Sequence, residues 1–370
     1  MAAEEEVDIT ISSGLHMVSA FLAMEPPDVV ISFAREFGEG SITESVQSCI
    51  WHHCITKADL KWQGPYLKRF LKKLILEIES SGGLVLDELY EQYASYMISL
   101  QNDDGNKGKF RVLKTISFLF PNESSGISIC PKSMKFEVRL QCSVNMLEGD
   151  TGCSIWPSSL FLSEFILSFP DIFANKCCFE VGSGVGLVGI CLSYVKASKV
   201  ILSDGDLSTL ANMKINLELN HLSTDDLVHQ KKVHCICLPW ESPSEDDLRC
   251  FTPDIILGAD IIYDPSCLPH LVRVLSLLLK HNKHAEVGAA GRELDSLPAD
   301  ELLRHPLGKV PVAYVASVVR NIDTFNYFLS LAEQAKLVVT DLTGKVGVSK
   351  FLPYLRSYQR STIRIFRIHV

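Results

Sequence analysis

The glycine-rich segment at residues 179–189 constrains the fold more than any other part of the sequence. It reads FEVGSGVGLVG, an apolar strand-like stretch that runs into a turn containing Gly182, Ser183, Gly184 and Gly186. Glycines permit a tight backbone turn and let a ligand approach without meeting a Cβ atom. A strand, a glycine-rich turn and a helix in this order are typical of the first unit of a Rossmann-like α/β domain.

The sequence around this segment alternates in the manner of an α/β domain. Short apolar segments rich in β-branched residues occur at 177–181, 199–203, 232–237, 254–259 and 311–319. Helical patterns separate most of them, as at 206–220 and 264–280. The alternation predicts a mainly parallel sheet with helices on both faces, built from residues 151–370. The polar stretch at 281–310 predicts a flexible insertion before the fifth strand.

Two regions of different character precede the α/β domain. Residues 1–104 carry helical patterns, and at 66–79 apolar side chains recur at i, i+3 and i+4 with lysines opposite. We therefore expect an N-terminal helical accessory domain. In residues 105–150 apolar and polar residues alternate, most clearly at 135–144, which predicts a β-rich connector with antiparallel strands.

Composition narrows the class of protein. Hydrophobic residues make up 47% of the 370 residues and charged residues 21%, which is typical of a globular protein and excludes the disordered class. A net charge of −9 argues against direct nucleic-acid binding. The acidic N-terminus lacks the features of a signal peptide, and no long uncharged apolar run could span a membrane. We expect a cytoplasmic protein with reduced cysteines and no membrane contact.

One cluster, formed by Cys49, His52, His53 and Cys54, could in principle contribute metal ligands. A structural zinc ion needs four ligands, usually drawn from two separated pairs. The sequence contains no second pair at this kind of spacing. We therefore expect no metal site and interpret the cluster as part of a packed helix.

The glycine-rich turn alone leaves the ligand open. Residues 184–189 fit the G-x-G-x-x-G fingerprint of dinucleotide-binding proteins. Asp204, at the end of the second strand, could accept hydrogen bonds from the ribose hydroxyls of NAD or of S-adenosylmethionine. A tight turn that binds no cofactor is a third interpretation.

The position of Glu180 favours S-adenosyl-L-methionine. It lies at the end of the first strand, two residues before Gly182, where a carboxylate could meet the cationic methionine end of that cofactor. A dinucleotide would bring its anionic pyrophosphate to this turn, where a carboxylate is unhelpful. We therefore predict that S-adenosylmethionine binds Glu180, the glycine-rich turn and Asp204.

Other predicted cofactor contacts are Trp156, Trp240 and Ala259. Trp240 follows the third strand and could cover the adenine base, or it could be a core residue. Trp156 begins a helical run and could close over the cofactor or anchor the helix. Asn212, Asn216 and Asn220 recur on one helix face and are interpreted either as cofactor ligands or as part of a polar outer face.

Asp260 and Tyr263 follow the fourth strand, at the edge of the sheet where α/β proteins bind ligands. Methylation of lysine needs a neutral amine, and with a pKa of about 10.4 its deprotonation at pH 7.4 costs about 4 kcal/mol. A bare Asp260 carboxylate would raise the pKa of that amine. We therefore assign Asp260 to orienting the amine, with a general-base role as the alternative, and Tyr263 to contacting the aliphatic stem. We predict that Asp264 is the N-cap residue of the next helix.

With these motifs the chain resembles the seven-strand lysine methyltransferases related to those that modify chaperones and calmodulin. The residues that carry this resemblance are Trp156, Glu180 to Gly186, Trp240, and Asp260 with Tyr263. Within that group it is similar to the elongation factor 2 lysine methyltransferase family, in Leu86 to Glu91 and in Val319 to Asn321 with Thr324. Pro157 stands where the wider family usually has Asp.

The resemblance implies a class I methyltransferase fold that acts on a lysine of elongation factor 2. It also implies that the N-terminal helical domain helps to recognise that protein, and we expect the enzyme to be a monomer. Two other functions stay open on the residues alone, an NAD-linked oxidoreductase and a catalytically silent binding module with the same fold.

Overall fold

The computed structural model describes residues 12–99, 111–120, 135–143, 151–222, 232–280 and 310–370. The insertion predicted at 281–310 lies outside these ranges, apart from residue 310. The chain divides into two compact units, called the helical unit and the sheet unit below. The helical unit comprises Met1–Gly126, Lys132–Glu148 and Phe351–Tyr358. Within the described ranges, the sheet unit comprises residues 151–222, 232–280, 310–350 and Gln359–Val370.

The helical unit contains helices followed by a pair of strands. Its elements are α1 (Ser12–Leu22), α2 (Pro27–Phe37), α3 (Glu44–His53), α4 (Leu60–Ser80), α5 (Asp87–Ser99), β1 (Arg111–Leu119) and β2 (Lys135–Ser143). Helix α4 includes the predicted amphipathic segment, and Leu67, Phe70 and Leu74 are fully buried, as their spacing predicts. Pro27 occupies the first turn of α2, where its missing N–H removes no helical hydrogen bond.

Strands β1 and β2 pair antiparallel, with Ile116 opposite Val138, which confirms the strand prediction at 135–144. The division of the chain differs from the expected one, because this pair clusters with the helices and not as a separate connector. The distant segment Phe351–Tyr358 also belongs to the helical unit. There the Tyr354 hydroxyl accepts a hydrogen bond from the Ser117 N–H of β1 at 2.7 Å.

The sheet unit alternates helices and strands. Its helices are α6 (Pro157–Ser168), α7 (Pro170–Phe173), α8 (Leu187–Tyr194), α9 (Leu207–Leu219), α10 (Glu245–Cys250), α11 (Leu268–Lys280) and α12 (Ile322–Gln334). Its strands are β3 (Cys177–Val181), β4 (Lys199–Asp204), β5 (Val233–Cys237), β6 (Ile255–Ala259), β7 (Val312–Val318), β8 (Val338–Asp341) and β9 (Ile363–His369).

The described strands of this unit form one seven-stranded sheet in the order β5-β4-β3-β6-β7-β9-β8. Strands β5, β4, β3, β6 and β7 are parallel, and β9 runs antiparallel to both of its neighbours. The predicted α/β class with a mainly parallel sheet is therefore confirmed. The five predicted strands and the helices predicted at 206–220 and 264–280 are present. Strand β3 has the predicted bounds, β4 is one residue longer, and the other elements are shorter than predicted.

The N-cap prediction for Asp264 is wrong. Helix α11 begins at Leu268, four residues later. The Asp264 carboxylate instead accepts a hydrogen bond from the Ser266 N–H at 2.9 Å and so stabilises the turn that precedes the helix. Pro265 had suggested a helix start, but the turn it belongs to ends before the helix begins.

The strand order fixes where a ligand can bind. The order in which the chain adds strands to the sheet changes side between β3 and β6. Strands β4 and β5 lie on one side of β3, whereas β6 and then β7 lie on the other side. Open α/β sheets bind ligands at such a switch point, outside the carboxyl ends of the strands. The glycine-rich turn after β3 and the segment after β6 therefore meet at the edge that favours ligand binding.

The cysteine–histidine cluster lies at the end of α3. Cys49 and Cys54 are buried, and burial raises the pKa of the Cys49 thiol to about 11. Across the described ranges, no group of three or more His, Cys, Asp or Glu side chains is placed to hold a metal ion. Of the helices in the described residues, none is both long and apolar enough to cross a membrane.

Candidate active site

A cavity of about 460 Å³ lies in the sheet unit, at the carboxyl ends of β3, β4, β5, β6 and β7. Its volume falls in the range typical of sites for small molecules. Most of the residues predicted to form the site line it together. They are Trp156, Gly182, Gly184, Asp204, Trp240, Ala259, Asp260 and Tyr263.

The glycine-rich turn presents bare backbone to this cavity. Gly182 and Gly184 have φ angles of 67° and 53°, in the left-handed region that side chains disfavour. A Cβ atom on Gly184 would lie 3.0 Å from the Gly152 carbonyl oxygen, and one on Gly182 would lie 3.3 Å from the Trp240 ring. The turn therefore accepts only glycine at these positions, and it leaves room for a ligand against the backbone.

Asp204 ends β4 and joins the second strand to the glycine-rich turn. Its Oδ2 accepts a hydrogen bond from the Gly184 N–H at 3.1 Å, and its Oδ1 accepts one from the Asp206 N–H at 3.2 Å. Burial raises the pKa of the Asp204 carboxyl, while these two N–H groups oppose the shift. Each oxygen keeps a lone pair for a ligand, as the predicted contact with ribose hydroxyls requires.

The two predicted tryptophans both line the cavity. Trp240 follows β5, and its ring is the nearest side chain to Gly182 apart from Ile261. Trp156 is the N-cap residue of α6, and its Nε1–H donates to the Thr151 carbonyl at 3.0 Å. Pro157 takes the first position of that helix, which explains how proline is accommodated directly after the tryptophan.

Asp260 has an unusual backbone conformation for a residue with a side chain. Its φ is 58°, and its N–H donates to the Ala316 carbonyl of β7 at 2.8 Å. Oδ1 accepts hydrogen bonds from the Val318 N–H at 3.2 Å and from Arg320 Nη1 at 3.1 Å, and Oδ2 accepts one from Arg320 Nη2 at 2.8 Å. The carboxylate is thus buried and held by a two-pronged ion pair. Strained backbone of this kind is common at functional sites.

Tyr263 stands at the mouth of the cavity, with 60% of its surface exposed. Near it, the Cys267 thiol donates to Glu241 Oε1 at 3.7 Å, and both residues also line the cavity. The mouth therefore combines an aromatic ring with carboxylate groups.

Three predicted cofactor residues do not line the cavity: Glu180, Ser183 and Gly186. Ser183 ties the strand ends together, because its Oγ accepts from the Ser203 N–H at 3.0 Å. Gly186 starts α8 with a φ of 82°. Both residues shape the turn in this structure, and their predicted contact with the cofactor stays a prediction.

Glu180 lies behind the turn, on β3, and is 1% exposed. Its Oε2 is buried and has no hydrogen-bond partner among the described residues. Burial raises the pKa of its carboxyl well above the ordinary value, and nearby Asp204 adds to the shift. The predicted contact of Glu180 with the cofactor stays a prediction.

Sequence reasoning missed the role of two residues. Arg320 lines the cavity and binds Asp260, although the sequence marked it only through a family resemblance. Its position just after β7, at the same sheet edge, was the available signal. Asn216 is fully buried, and its Nδ2–H donates to the Val185 carbonyl in the glycine-rich turn at 3.0 Å. For Asn212 and Asn216 the interpretation as a polar outer face is therefore wrong, since both are buried.

Comparison with known proteins gives consistent matches. Residues 135–295 match a protein family described as lysine methyltransferase. The chain is 29% identical over 329 residues to an uncharacterised protein of Dictyostelium discoideum, covering 82% of this chain and 81% of that one. It is 28% identical over 269 residues to the protein-lysine N-methyltransferase EEF2KMT of Homo sapiens, covering 71% of this chain and 68% of the relative.

Two further matches are more limited. A calmodulin-lysine N-methyltransferase of Arabidopsis thaliana is 32% identical over 132 residues, which is 35% of this chain and 42% of that protein. Among solved structures, a precorrin-6y C5,15-methyltransferase of Geobacter metallireducens covers 57% of this chain and 86% of its own, with 13% identity and a TM-score of 0.33.

Proposed function

Because the chain belongs to the lysine methyltransferase family that its residues 135–295 match, we propose that it transfers a methyl group from S-adenosylmethionine to a lysine of elongation factor 2. One observation carries the proposal. A single cavity is lined by the glycine-rich turn, by Asp204, and by Asp260 with Tyr263. The residues predicted for the methyl donor and those predicted for the acceptor therefore line one space, which supports the proposal.

The residues of the cavity fit S-adenosylmethionine, the cofactor of this class. Gly182 and Gly184 leave open backbone, and Asp204 has free lone pairs for the ribose hydroxyls. Trp240 supplies an aromatic face near the turn. The lining contains Asp204, Asp206, Glu241 and Asp260 against one arginine, which suits a cofactor with a cationic sulfonium centre.

The chain's own residues would prepare the acceptor. S-adenosylmethionine, when bound, supplies an electrophilic methyl group. Within the described ranges Asp260 Oδ2 accepts one hydrogen bond, from Arg320, so one of its lone pairs is available to orient an amine. The ring of Tyr263 at the mouth would contact the aliphatic stem of the lysine. Positioning of this kind contributes much of the rate when two reactants must meet in line.

The acidic lining argues against the NAD-linked alternative. A dinucleotide brings two phosphate charges to the turn after the first strand. In the described lining, Arg320 is the only positively charged residue, and Asp260 already binds both of its terminal nitrogens. An assay of methyl transfer distinguishes the enzyme from the third alternative, a catalytically silent binding module with the same fold.

The choice of acceptor depends on the resemblance to elongation factor 2 lysine methyltransferases. Leu86 to Glu91 carry part of it, and in the structure they lie at the start of α5 in the helical unit. This placement supports a role for the helical unit in recognising the acceptor protein. We take the enzyme to act as a cytoplasmic monomer.

The test is transfer of tritiated methyl groups from S-adenosylmethionine to elongation factor 2 purified from cells that lack this enzyme. The expected result is one labelled lysine, located by mass spectrometry. Calmodulin is the matched second acceptor, since one relative is named for it. Labelling of calmodulin alone contradicts the choice of elongation factor 2, and no labelling of any extract protein contradicts the enzyme.

A further inference from the structure

We propose that Arg320 is a positioning residue that neutralises Asp260, so that the acceptor lysine can lose its proton inside the site. The inference rests on the proposed methyl transfer and assigns a role to a residue that the cofactor and acceptor motifs do not include. It concerns the charge that the acceptor amine meets when it enters the cavity.

The contact between the two side chains is specific. Arg320 binds both Asp260 oxygens, with N–O distances of 3.1 and 2.8 Å. The guanidinium carbon also lies 5.3 Å from the centre of the Trp156 ring, so the arginine is held between a carboxylate and an aromatic face. Such two-pronged pairs are the most geometrically defined ion pairs in proteins.

The backbone around Arg320 fixes its position as well. The Val318 N–H, two residues earlier, donates to Asp260 Oδ1. Asn321, the next residue, caps α12, and its Oδ1 accepts hydrogen bonds from the Asp323 and Thr324 N–H groups. Arg320 is thus set between the end of β7 and a capped helix start, and it does not depend on a flexible loop for its placement.

The ion pair between Arg320 and Asp260 would affect the protonation of the acceptor amine. A carboxylate beside a lysine amine favours the ammonium form and raises its pKa by about 1 to 3 units. An ammonium has no lone pair and accepts no methyl group. With Arg320 in place, the Asp260–Arg320 pair has no net charge, yet Asp260 Oδ2 keeps one lone pair for a hydrogen bond. Orientation is retained and the penalty on deprotonation is reduced.

Other titratable groups face the same space and must be considered. They are Asp204 and Asp206 after β4, Glu241 after β5, and Tyr263 and Cys267 after β6. These groups contribute equally in the wild type and in variants of Arg320. A change in pH dependence on replacing Arg320 therefore reports on the Asp260 pair.

The experiment measures kcat and KM for methylation of elongation factor 2 between pH 6.5 and 10, in the wild type and in Arg320→Met. We expect the acidic limb of kcat to move upward by about 1 to 2 pH units, so that kcat at pH 7 falls about 10- to 100-fold and recovers above pH 9.5. Arg320→Lys keeps the positive charge and should keep the limb near its wild-type position.

A double variant sharpens the test. Arg320→Met combined with Asp260→Asn removes both charges, so its acidic limb should return toward the wild-type pH even if kcat stays low. Asp260→Asn alone leaves an unpaired guanidinium and should move the limb to lower pH. If Arg320→Met fails to bind S-adenosylhomocysteine in calorimetry, Arg320→Gln replaces it.

The matched control is Arg273→Met, which breaks a pair with Glu245 on α10 outside the cavity. Arg273 and Arg320 have similarly exposed side chains, at 48% and 46%. The control should leave the pH profile unchanged. A loss of kcat in Arg320→Met that is equal at every pH overturns the inference in favour of a structural role. A lower KM with an unshifted limb overturns it in favour of a blocking role. Absence of methyl transfer by the wild type instead contradicts the proposed function itself.

Discussion

Gly184 is the residue where the backbone and the cavity are most tightly linked. Its φ is 53°, its N–H donates to Asp204, and a Cβ atom there would lie 3.0 Å from the Gly152 carbonyl oxygen. Left-handed backbone costs a residue with a side chain about 1 to 2 kcal/mol. The turn therefore adopts this shape at a lower cost because residue 184 lacks a side chain.

We predict that Gly184→Ala weakens binding of S-adenosylhomocysteine at least about tenfold, because the new methyl group displaces the turn from Asp204. Calorimetry measures the affinity, and circular dichroism measures the loss of stability. Gly344→Ala is the matched control, since Gly344 also has a positive φ of 80° but nothing within 4 Å of its would-be Cβ. Equal affinity in the Gly184 variant and the wild type would show that the turn does not hold the cofactor.

The buried carboxyl of Glu180 leads to a second prediction at the scale of single residues, which concerns how the stability of the protein depends on pH. Burial raises its pKa in the folded state well above the ordinary value of 4.5. Between that value and the folded pKa, the folded protein binds more protons than the unfolded one, so stability falls as pH rises. Glu180→Gln removes this dependence, and the drop in Tm of the cofactor-free protein between pH 5 and pH 8 should become smaller.

Glu245→Gln is the control for that measurement, because the pKa of Glu245 is lowered by its hydrogen bond from Arg273 and its contribution is lost only at acidic pH. Its pH dependence between 5 and 8 should match the wild type. An unchanged drop in Tm in the Glu180 variant would mean that the carboxyl is solvated in solution. A weaker affinity for S-adenosylhomocysteine in the same variant would support the predicted cofactor contact.

At the scale of elements, the sequence predicted the units whose signals are local. Strands β3 to β7 are short apolar segments bounded by polar turns, and the glycine-rich turn marks the start of α8, so these elements follow from pattern alone. The sequence pattern also indicated that Asn212 and Asn216 lie on one face of α9. What the pattern could not supply was the neighbour of that face, since periodicity separates two sides of a helix without saying which one is buried.

The residues of the candidate site also fall into two groups, those whose convergence the sequence could predict and those whose contacts it could not. Asp204 ends β4, Asp260 directly follows β6, and Trp240 lies shortly after β5. Strand ends in a parallel sheet meet at one edge, so the convergence of these residues was predictable. The Arg320–Asp260 pair was not, because 60 residues separate the partners and the positive φ of Asp260 decides where its carboxylate points. The burial of Glu180 likewise depends on which face of β3 the helices cover.

Asn216 provides the element-scale prediction. Its amide joins α9 to the glycine-rich turn through the Val185 carbonyl, and the side chain is fully buried. Asn216→Ala leaves that carbonyl unsatisfied, which should cost about 1 to 3 kcal/mol of unfolding free energy and also weaken cofactor binding. Denaturant unfolding and calorimetry measure the two effects. Asn220→Ala, on the same helix, removes the bond to the Asn216 carbonyl and leaves the Val185 contact in place, so it should change both quantities less.

At the scale of the whole molecule, the chain returns to its first unit near its end. Phe351–Tyr358 belongs to the helical unit although more than 200 residues of the sheet unit precede it. Arg356 binds Glu36 at 2.8 Å, and Ser357 donates to the buried Glu25. No local pattern announces such a return, because each partner lies more than 300 positions away. The helical unit is therefore completed only by the last part of the chain.

Tyr354 gives the prediction that tests this dependence. It is fully buried, and its hydroxyl accepts the Ser117 N–H of β1. Tyr354→Ala opens a cavity, and losses of about 3 to 5 kcal/mol are usual when a large buried aromatic is truncated. In hydrogen exchange followed by mass spectrometry, amides of β1 and β2 should exchange faster in the variant, while those of β3 to β7 keep the wild-type rates. Tyr354→Phe removes only the hydroxyl and should show a smaller change confined to β1.

Unchanged exchange in β1 and β2 of the alanine variant would mean that the segment Phe351–Tyr358 does not stabilise the helical unit. Faster exchange throughout β3 to β7 would instead mean that the two units unfold as one.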